Sequence, residues 1–277
     1  MDPHFFTIPY LIKTQLPPLP GTVMRVSALL ADLNVSQNAI ADAISLDPIL
    51  SSRILRLANS AVYGLHGTVT NLADAVSTVG NNAISEILLI NGVSDAFGRK
   101  VLNSEAGKDI WFHLIATGMT ASELIRAAGM RGADEAFGCG LLHDIGKLIM
   151  LRADTPYYTN LMQRADTEGG QVLIEKLELG FDHAELGAAA AISWGLPHAV
   201  VHMIRHHHQP AKATAGVAMA HVLKIADTLV TLKADDGDMN DLYRSDAFVN
   251  FGLEQARVEE VWEKVSVKLN EVMGTFS

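Results

Sequence analysis

His143 and Asp144 are adjacent in Leu141-Leu-His143-Asp144-Ile-Gly146-Lys147-Leu148. The pair offers an imidazole nitrogen and two carboxylate oxygens from neighbouring positions. That donor mix suits Zn, Fe, Mn or Co better than Ca or Mg. A His-Asp dipeptide is common, and alone it reads better as a capped helix end with a hydrogen-bonded histidine. Its company raises the metal reading: His113 upstream, then His183, His207, His208 and Asp227 downstream. Each lies in an apolar-patterned segment that reads as helical, so several helices can deliver donors to one point. Each also has a plainer role open to it. His113 can be a core histidine beneath Trp111. His183 follows Asp182, which can simply cap a helix, and Asp227 can pair with Lys224. Residues His206 to His208 cannot all point one way on a helix, because neighbours are about 100° apart. His206 is the one expected outside the site. His198 and His202 share its helical face and read as a solvent-facing stripe.

The elements that must position these residues are helices; little strand-like alternation is present. Residues 1–15 form a leading segment, and Leu16-Pro-Pro-Leu-Pro20-Gly21 is an extended lead-in. A helix with Val23, Val26, Leu29, Leu30 and Leu33 on its buried face is expected next. Ser36 is placed to cap a helix carrying Ile40 and Ile44. Asp47-Pro48 opens another, with Ile49, Ile54, Leu55 and Leu57 as its apolar positions. Helices follow over 71–79 and 82–97, and the break at 98–106 separates two lobes. Ile110 to Ala128 is a long amphipathic run, and a helix through 134–142 leads to the doublet. Residues 156–178 and 183–193 read as two helices, and another restarts at Pro197. Ala215 to Leu232 carries Asp227, 233–241 is an acidic loop, and Val258 to Val272 closes the chain. The expected organisation is a leading segment at 1–15, an N-terminal helical lobe at 16–106, and a second helical lobe at 107–277.

Bulk properties narrow the function. The 277 residues can bury a sizeable core, and 49% of them are hydrophobic, which fits a globular chain. The formal net charge of −10 argues against nucleic acid, whose binding depends on cations that displace counterions from phosphate. Residues 36–63 superficially suggest a helix-turn-helix, but Arg53 and Arg56 are its only basic residues. The single cysteine, Cys139, allows no intrachain disulfide and fits a reducing compartment. No basic region precedes the N-terminal apolar residues, and no apolar run approaches the roughly 20 residues of a membrane span. A cytoplasmic protein is the expectation.

Several motifs together resemble one family. Leu16-Pro-Pro-Leu-Pro-Gly21, Ile44-Ser-Leu-Asp47-Pro48-Ile-Leu50, Leu55-Arg-Leu-Ala-Asn59-Ser60-Ala-Val-Tyr63-Gly64 and Ala73-Asp-Ala-Val-Ser-Thr-Val-Gly80 are similar to the HDOD domain, the HD-related output domain of bacterial signalling proteins. Leu141 to Leu148, Trp194-Gly-Leu-Pro197 and Ile204-Arg-His-His207-His208-Gln-Pro210 continue the likeness. The resemblance covers roughly residues 16–230. It implies an all-α, two-lobed fold with an HD-type helical lobe.

In HD-superfamily phosphohydrolases the signature is a His, the His-Asp doublet and a distant Asp. Carried onto this chain, these are His113, His143, Asp144 and Asp227. The related HD-GYP phosphodiesterases add histidines for a second metal, which here would be His183, His207 and His208, with Asp144 bridging both ions. The Gly-Tyr-Pro stretch is absent, and Gln209 stands where an HD-GYP protein has Glu, so cyclic dinucleotide specificity is not implied. The resemblance implies one or two divalent ions, Fe, Mn or Zn. Two cations about 3.5–4 Å apart can clamp a phosphate ester and activate a water. Lys147 can offset charge on phosphate oxygens, so Asp144 and Lys147 are the catalytic candidates. No protein nucleophile is needed, and Cys139 has no catalytic part. The expected partner is a phosphate-containing small molecule or a signalling protein, with no nucleic acid and no membrane. The alternative is a catalytically silent signalling scaffold in which any metal only ties helices together.

Overall fold

The structure, a computed structural model, describes residues 6–18, 20–21, 35–63, 68–165, 167–214 and 216–276. Among these residues it is helical with no strand, an all-α protein. In chain order the helices are α1 (Ile8–Gln15), α2 (Gln37–Ser45), α3 (Pro48–Ala58), α4 (Leu72–Val79), α5 (Asn81–Leu102), α6 (Glu105–Ala127), α7 (Ala133–Leu142) and α8 (Ile145–Ala153). They continue as α9 (Thr155–Ala165), α10 (Gln171–Leu179), α11 (His183–Ser193), α12 (His198–His206), α13 (Val217–Ala234), α14 (Met239–Tyr243), α15 (Asp246–Phe251) and α16 (Gln255–Phe276). None is long and apolar enough to cross a membrane among the described residues.

The chain forms two compact units, residues 1–18 with 97–259 and residues 19–96 with 260–277. This division differs from one drawn along the sequence. The leading segment groups with the larger unit, and most of α16, from Glu260 on, groups with the smaller. The helix expected over residues 22–33 lies outside the described residues, as does Gly64.

In the smaller unit, side-chain caps fix where helices begin. The Ser36 hydroxyl accepts from Ala39 N at 3.2 Å, and the Asp47 carboxylate accepts from Ile49 and Leu50 N at 3.0 Å. Such caps are each worth about 1 kcal/mol. Helices α2, α3 and α4 pack on one another. Ile40 and Ile44 of α2, and Ile54 and Leu57 of α3, are buried as their spacing requires. Ile49 is a correction: it is 57% exposed, and Leu50 takes the buried position beside it. The reason is the register set by Asp47, which turns Ile49 outward in the first turn.

In the larger unit, α6 packs closely on α7. Two glycines permit this approach: a Cβ on Gly140 would lie 2.5 Å from the Gly118 Cα. Helix α13 packs on both, and α8 packs on α11, with α1 against each of these. Leu114, Ile115, Leu124 and Ile125 of α6 are fully buried, each contributing about 1.5–3 kcal/mol. The Trp194 indole donates to the Pro17 carbonyl at 2.9 Å and ties the lead-in down.

Several boundaries depart from the sequence reading. Helix α6 starts at Glu105, five residues before Ile110, because Ser104 caps it through Gly107 N. The run 156–178 is two helices, α9 and α10, separated around Gly169 and Gly170, which adopt φ of +105° and +97°. The acidic stretch 233–241 is not all loop, since α13 continues to Ala234 and α14 begins at Met239.

Candidate metal centre

The His143-Asp144 doublet occupies the corner between α7 and α8. His143 follows the last residue of α7, and Asp144 precedes the first of α8. Two consecutive side chains on a continuous helix would diverge by about 100°. At this corner both enter one space. His207 and His208 converge by the same device, because α12 ends at His206. His183 opens α11, held by a capping box in which the Asp182 carboxylate accepts from Glu185 N and the Glu185 carboxylate accepts from Asp182 N. His113 comes from α6 and Asp227 from α13, which pack together.

The seven side chains form two donor groups. Asp144, His183, His207 and His208 make one, and His113, His143 and Asp227 make the other, with ligand atoms inside each within 4.8 Å of one another. Asp144 faces both. Its Oδ1 lies 3.1 Å from His183 Nε2 and 3.4 Å from His207 Nε2, while its Oδ2 lies 3.4 Å from His143 Nε2. In the second group, His113 Nε2 is 3.2 Å from Asp227 Oδ1 and 3.3 Å from His143 Nε2. His143, His183 and His207 are fully buried.

Three imidazoles have their Nδ1 committed. His143 Nδ1 is 2.7 Å from the Gly140 carbonyl, and His207 Nδ1 is 2.7 Å from the Ile204 carbonyl. His183 Nδ1 is 2.7 Å from Glu175 Oε2. An oxygen acceptor at Nδ1 places the ring proton there and leaves the Nε2 lone pair of His143 and His207 for the shared space, and that of His183 once its second proton has left. Burial, only partly offset by Asp144, lowers His143 to about 3, and burial with His207 and His183 nearby lowers His208 to about 2. Both rings are therefore neutral and available as donors. Burial opposes the charged form of His183 too, but Asp144 and Glu175 overcome it and hold this histidine up to about 9. Burial works against the Asp144 charge as well, yet His143, Lys147 and His183 keep its carboxyl well below the usual range.

These residues fit a bound cation. The Asp144 Oδ1 and His207 Nε2 atoms are buried and have no hydrogen-bond partner. Oδ1 gains a donor when His183 carries a second proton, the state that Asp144 and Glu175 favour below about pH 9, while His207 Nε2 gains none. His113 and His143 turn Nε2 atoms toward each other, and so do His183 and His208 at 2.7 Å. A buried acceptor left without a donor, as His207 Nε2 is, costs about 1–3 kcal/mol. Positive charge in this space, a proton or a metal ion, removes that cost. The all-nitrogen-and-oxygen donor set suits a divalent transition metal.

All seven ligand candidates from the sequence are brought together. Lys147 is also at the centre, but its Nζ sits 2.6 Å from Asp144 Oδ2 and not in open space. Burial alone would lower this ammonium, and the Asp144 carboxylate more than reverses that. Asp227 does pair with Lys224, at 3.2 Å through Oδ2, while its Oδ1 faces His113. His206 lies outside the two donor groups: it lines a cavity of about 530 Å³ with His198 and His202, and it also borders the cleft beside His208. The rings of His198 and His202 are 4.2 Å apart between centroids.

Sequence reasoning missed two positions. Glu175 is fully buried on α10 and accepts from His183 N at 2.8 Å as well as from its ring, and its other oxygen accepts from the Tyr158 hydroxyl at 2.6 Å. In sequence nothing separates it from Glu178, which pairs with Arg164 at the surface. Gly146 is the second: a Cβ there would overlap the His183 carbonyl oxygen, so a side chain would push α8 away from α11. The sequence motif contains this Gly, in His-Asp-Ile-Gly-Lys, but nothing there showed that it meets the His183 backbone.

A helical protein with a His/Asp donor set at helix corners is of the HD type. The chain belongs to the HDOD family: the HDOD domain model matches residues 16–210. A solved structure from Shewanella amazonensis SB2B, provisionally named a phosphohydrolase, is similar over 99% of this chain and 98% of its own, with 25% identity and a TM-score of 0.76. An HDOD domain protein of unknown function from Geobacter sulfurreducens matches over 96% of both chains, with 21% identity and a TM-score of 0.76, and shares the fold. An uncharacterised protein of Treponema pallidum (strain Nichols) is 28% identical over 197 residues, covering 70% of this chain. The match spans 37% of that relative's length.

Proposed function

We propose that this HDOD signalling protein hydrolyses a phosphate ester at a metal centre held by His113, His143, Asp144, His183, His207, His208 and Asp227. The observation that carries the reading is the pair of donor groups meeting at Asp144, one carboxylate oxygen toward each. Bound there, Fe, Mn or Zn would supply Lewis acidity toward phosphate oxygens and water. The protein's own part is positional. Glu175 orients the His183 ring through Nδ1, and the Gly140 and Ile204 carbonyls do the same for His143 and His207. Lys147 holds a positive charge against Asp144 and keeps its carboxylate ionised. The similar protein provisionally named a phosphohydrolase supports this class of reaction.

A second reading has its own observation. Lys147 already neutralises Asp144 Oδ2, and three of the histidines are fully buried, which favours a catalytically silent scaffold that binds a signalling protein or small ligand. Elemental mass spectrometry on untagged protein, beside an Asp144→Ala variant and followed by assay with bis(4-nitrophenyl) phosphate, separates the two. Metal lost in the variant, together with turnover by the parent, supports the hydrolase. A parent that stays empty after incubation with Fe, Mn and Zn overturns it. Metal without turnover of any phosphodiester leaves the scaffold.

A further inference from the structure

A polar cleft of about 240 Å³ has His208 in its wall. Its rim carries Arg205, His206, Gln209 and Lys212, and its other side carries Lys176, Asp182 and Glu185. Lys176 is committed to Asp182 at 3.0 Å and reaches Glu185 at 4.0 Å, and both carboxylates are held in the α11 capping box. Arg205 and Lys212 have no such assignment. Both are exposed, and neither makes an ion pair among the described residues. The cleft's three cations outnumber its two carboxylates in a chain with a net charge of −10. Gln209 adds a neutral amide to the same rim, so no further negative charge opposes an anion there.

We propose that Arg205 and Lys212 form an anion subsite, taking a second phosphate group of the substrate while the scissile ester lies at His208. The inference rests on the phosphohydrolase reading for the scissile half and on the cleft alone for the second anion. The chemistry of the pair favours phosphate. A guanidinium presents a fork of donors that matches two phosphate oxygens, and an ammonium supplies a compact charge beside it. The cleft is small and polar, so it holds a charged group and not the body of a large apolar ligand. The substrate class is therefore a phosphate ester that carries a second anionic group.

Isothermal titration with three non-hydrolysable probes tests this: methylphosphonate, phosphonoacetate and methylenediphosphonate, each against metal-free and metal-loaded protein, with metal content checked afterwards. The diphosphonate is expected to bind tightest in both forms. Arg205→Ala and Lys212→Ala should each weaken it by about 10-fold, as for loss of one charge-assisted contact. Gln209→Glu, which keeps both cations and the fold, should weaken it as well, with a smaller effect on methylphosphonate. Phosphonoacetate bound as tightly as the diphosphonate would overturn the assignment to phosphate. Diphosphonate affinity unchanged in all three variants would overturn the subsite. The metal-free arm reads the subsite even if no metal loads, so failure of the hydrolase reading and failure of this one remain distinct.

Discussion

Asp144 Oδ1 and His207 Nε2 face each other across 3.4 Å, and the His207 lone pair has no hydrogen-bond donor. Two buried acceptors held at that distance are repulsive unless a cation joins them. Asp144 is also the residue whose oxygens face both donor groups. Asp144→Asn is thus expected to reduce metal loading in both groups, and Asp227→Asn in its own group only. Elemental stoichiometry of the two variants checks this. Equal losses would show that Asp144 does not serve both.

Glu175 touches no substrate-facing space, yet it fixes the His183 ring and backbone. Glu175→Gln retains the shape but turns a charged acceptor into a neutral amide that can present its NH₂. Metal affinity is expected to fall by about 10–100-fold, as for other partners of metal-bound histidines. Competition with a chromophoric chelator measures it. An unchanged affinity would assign Glu175 to folding alone, through Tyr158.

Gly146→Ala places a methyl against the His183 carbonyl. The expected cost is about 1–3 kcal/mol from overpacking, with α8 and α11 forced apart. A chain of this size loses roughly 2–4 °C of melting temperature per kcal/mol. A thermal melt checks the stability, and loss of metal in the folded variant would show that the close approach also aligns the ligands.

The pH dependence of the metal-free protein follows from His183. Its folded value of about 9 lies above the ordinary 6.5, so the native state binds its proton more tightly than the unfolded chain does. That stabilisation is complete below about pH 6.5 and is lost as pH rises through about 9. Melting temperature of the metal-free protein should fall across this window, while the metal-loaded protein, whose His183 has given up the proton, should not show the fall. Metal uptake near pH 7.5 should release a proton, measurable by titration in buffers of different ionisation enthalpy.

Cys139 is fully buried, its Sγ lies 3.9 Å from the Met203 Sδ, and burial pushes its thiol far above the usual range. A thiol held neutral is a poor nucleophile. Ellman's reagent should therefore fail to label the native protein within minutes and should label one thiol in denaturant. Rapid labelling of the folded chain would contradict the packing of α7 against α12.

What the sequence determined by itself was the set of residue types and the helices that carry them. Helical periodicity marked α6, α11 and α13, and Ser36, Asp47 and Asp182 marked helix starts, because capping is chemistry between residues two or three apart. The seven donors were legible as a short doublet with histidines and an aspartate on apolar helices, and the resemblance to HD-type proteins singled them out, Asp227 above all. Only the tertiary structure decided that they meet. His143 with Asp144, and His207 with His208, point together because helices α7 and α12 stop beside them, and a stop of one residue more or less would send a neighbour elsewhere. Glu175 and the close pass at Gly146 were decided there too. A buried carboxylate behind a histidine and a backbone contact between α8 and α11 depend on distances between segments that are remote along the chain, and no local pattern encodes them.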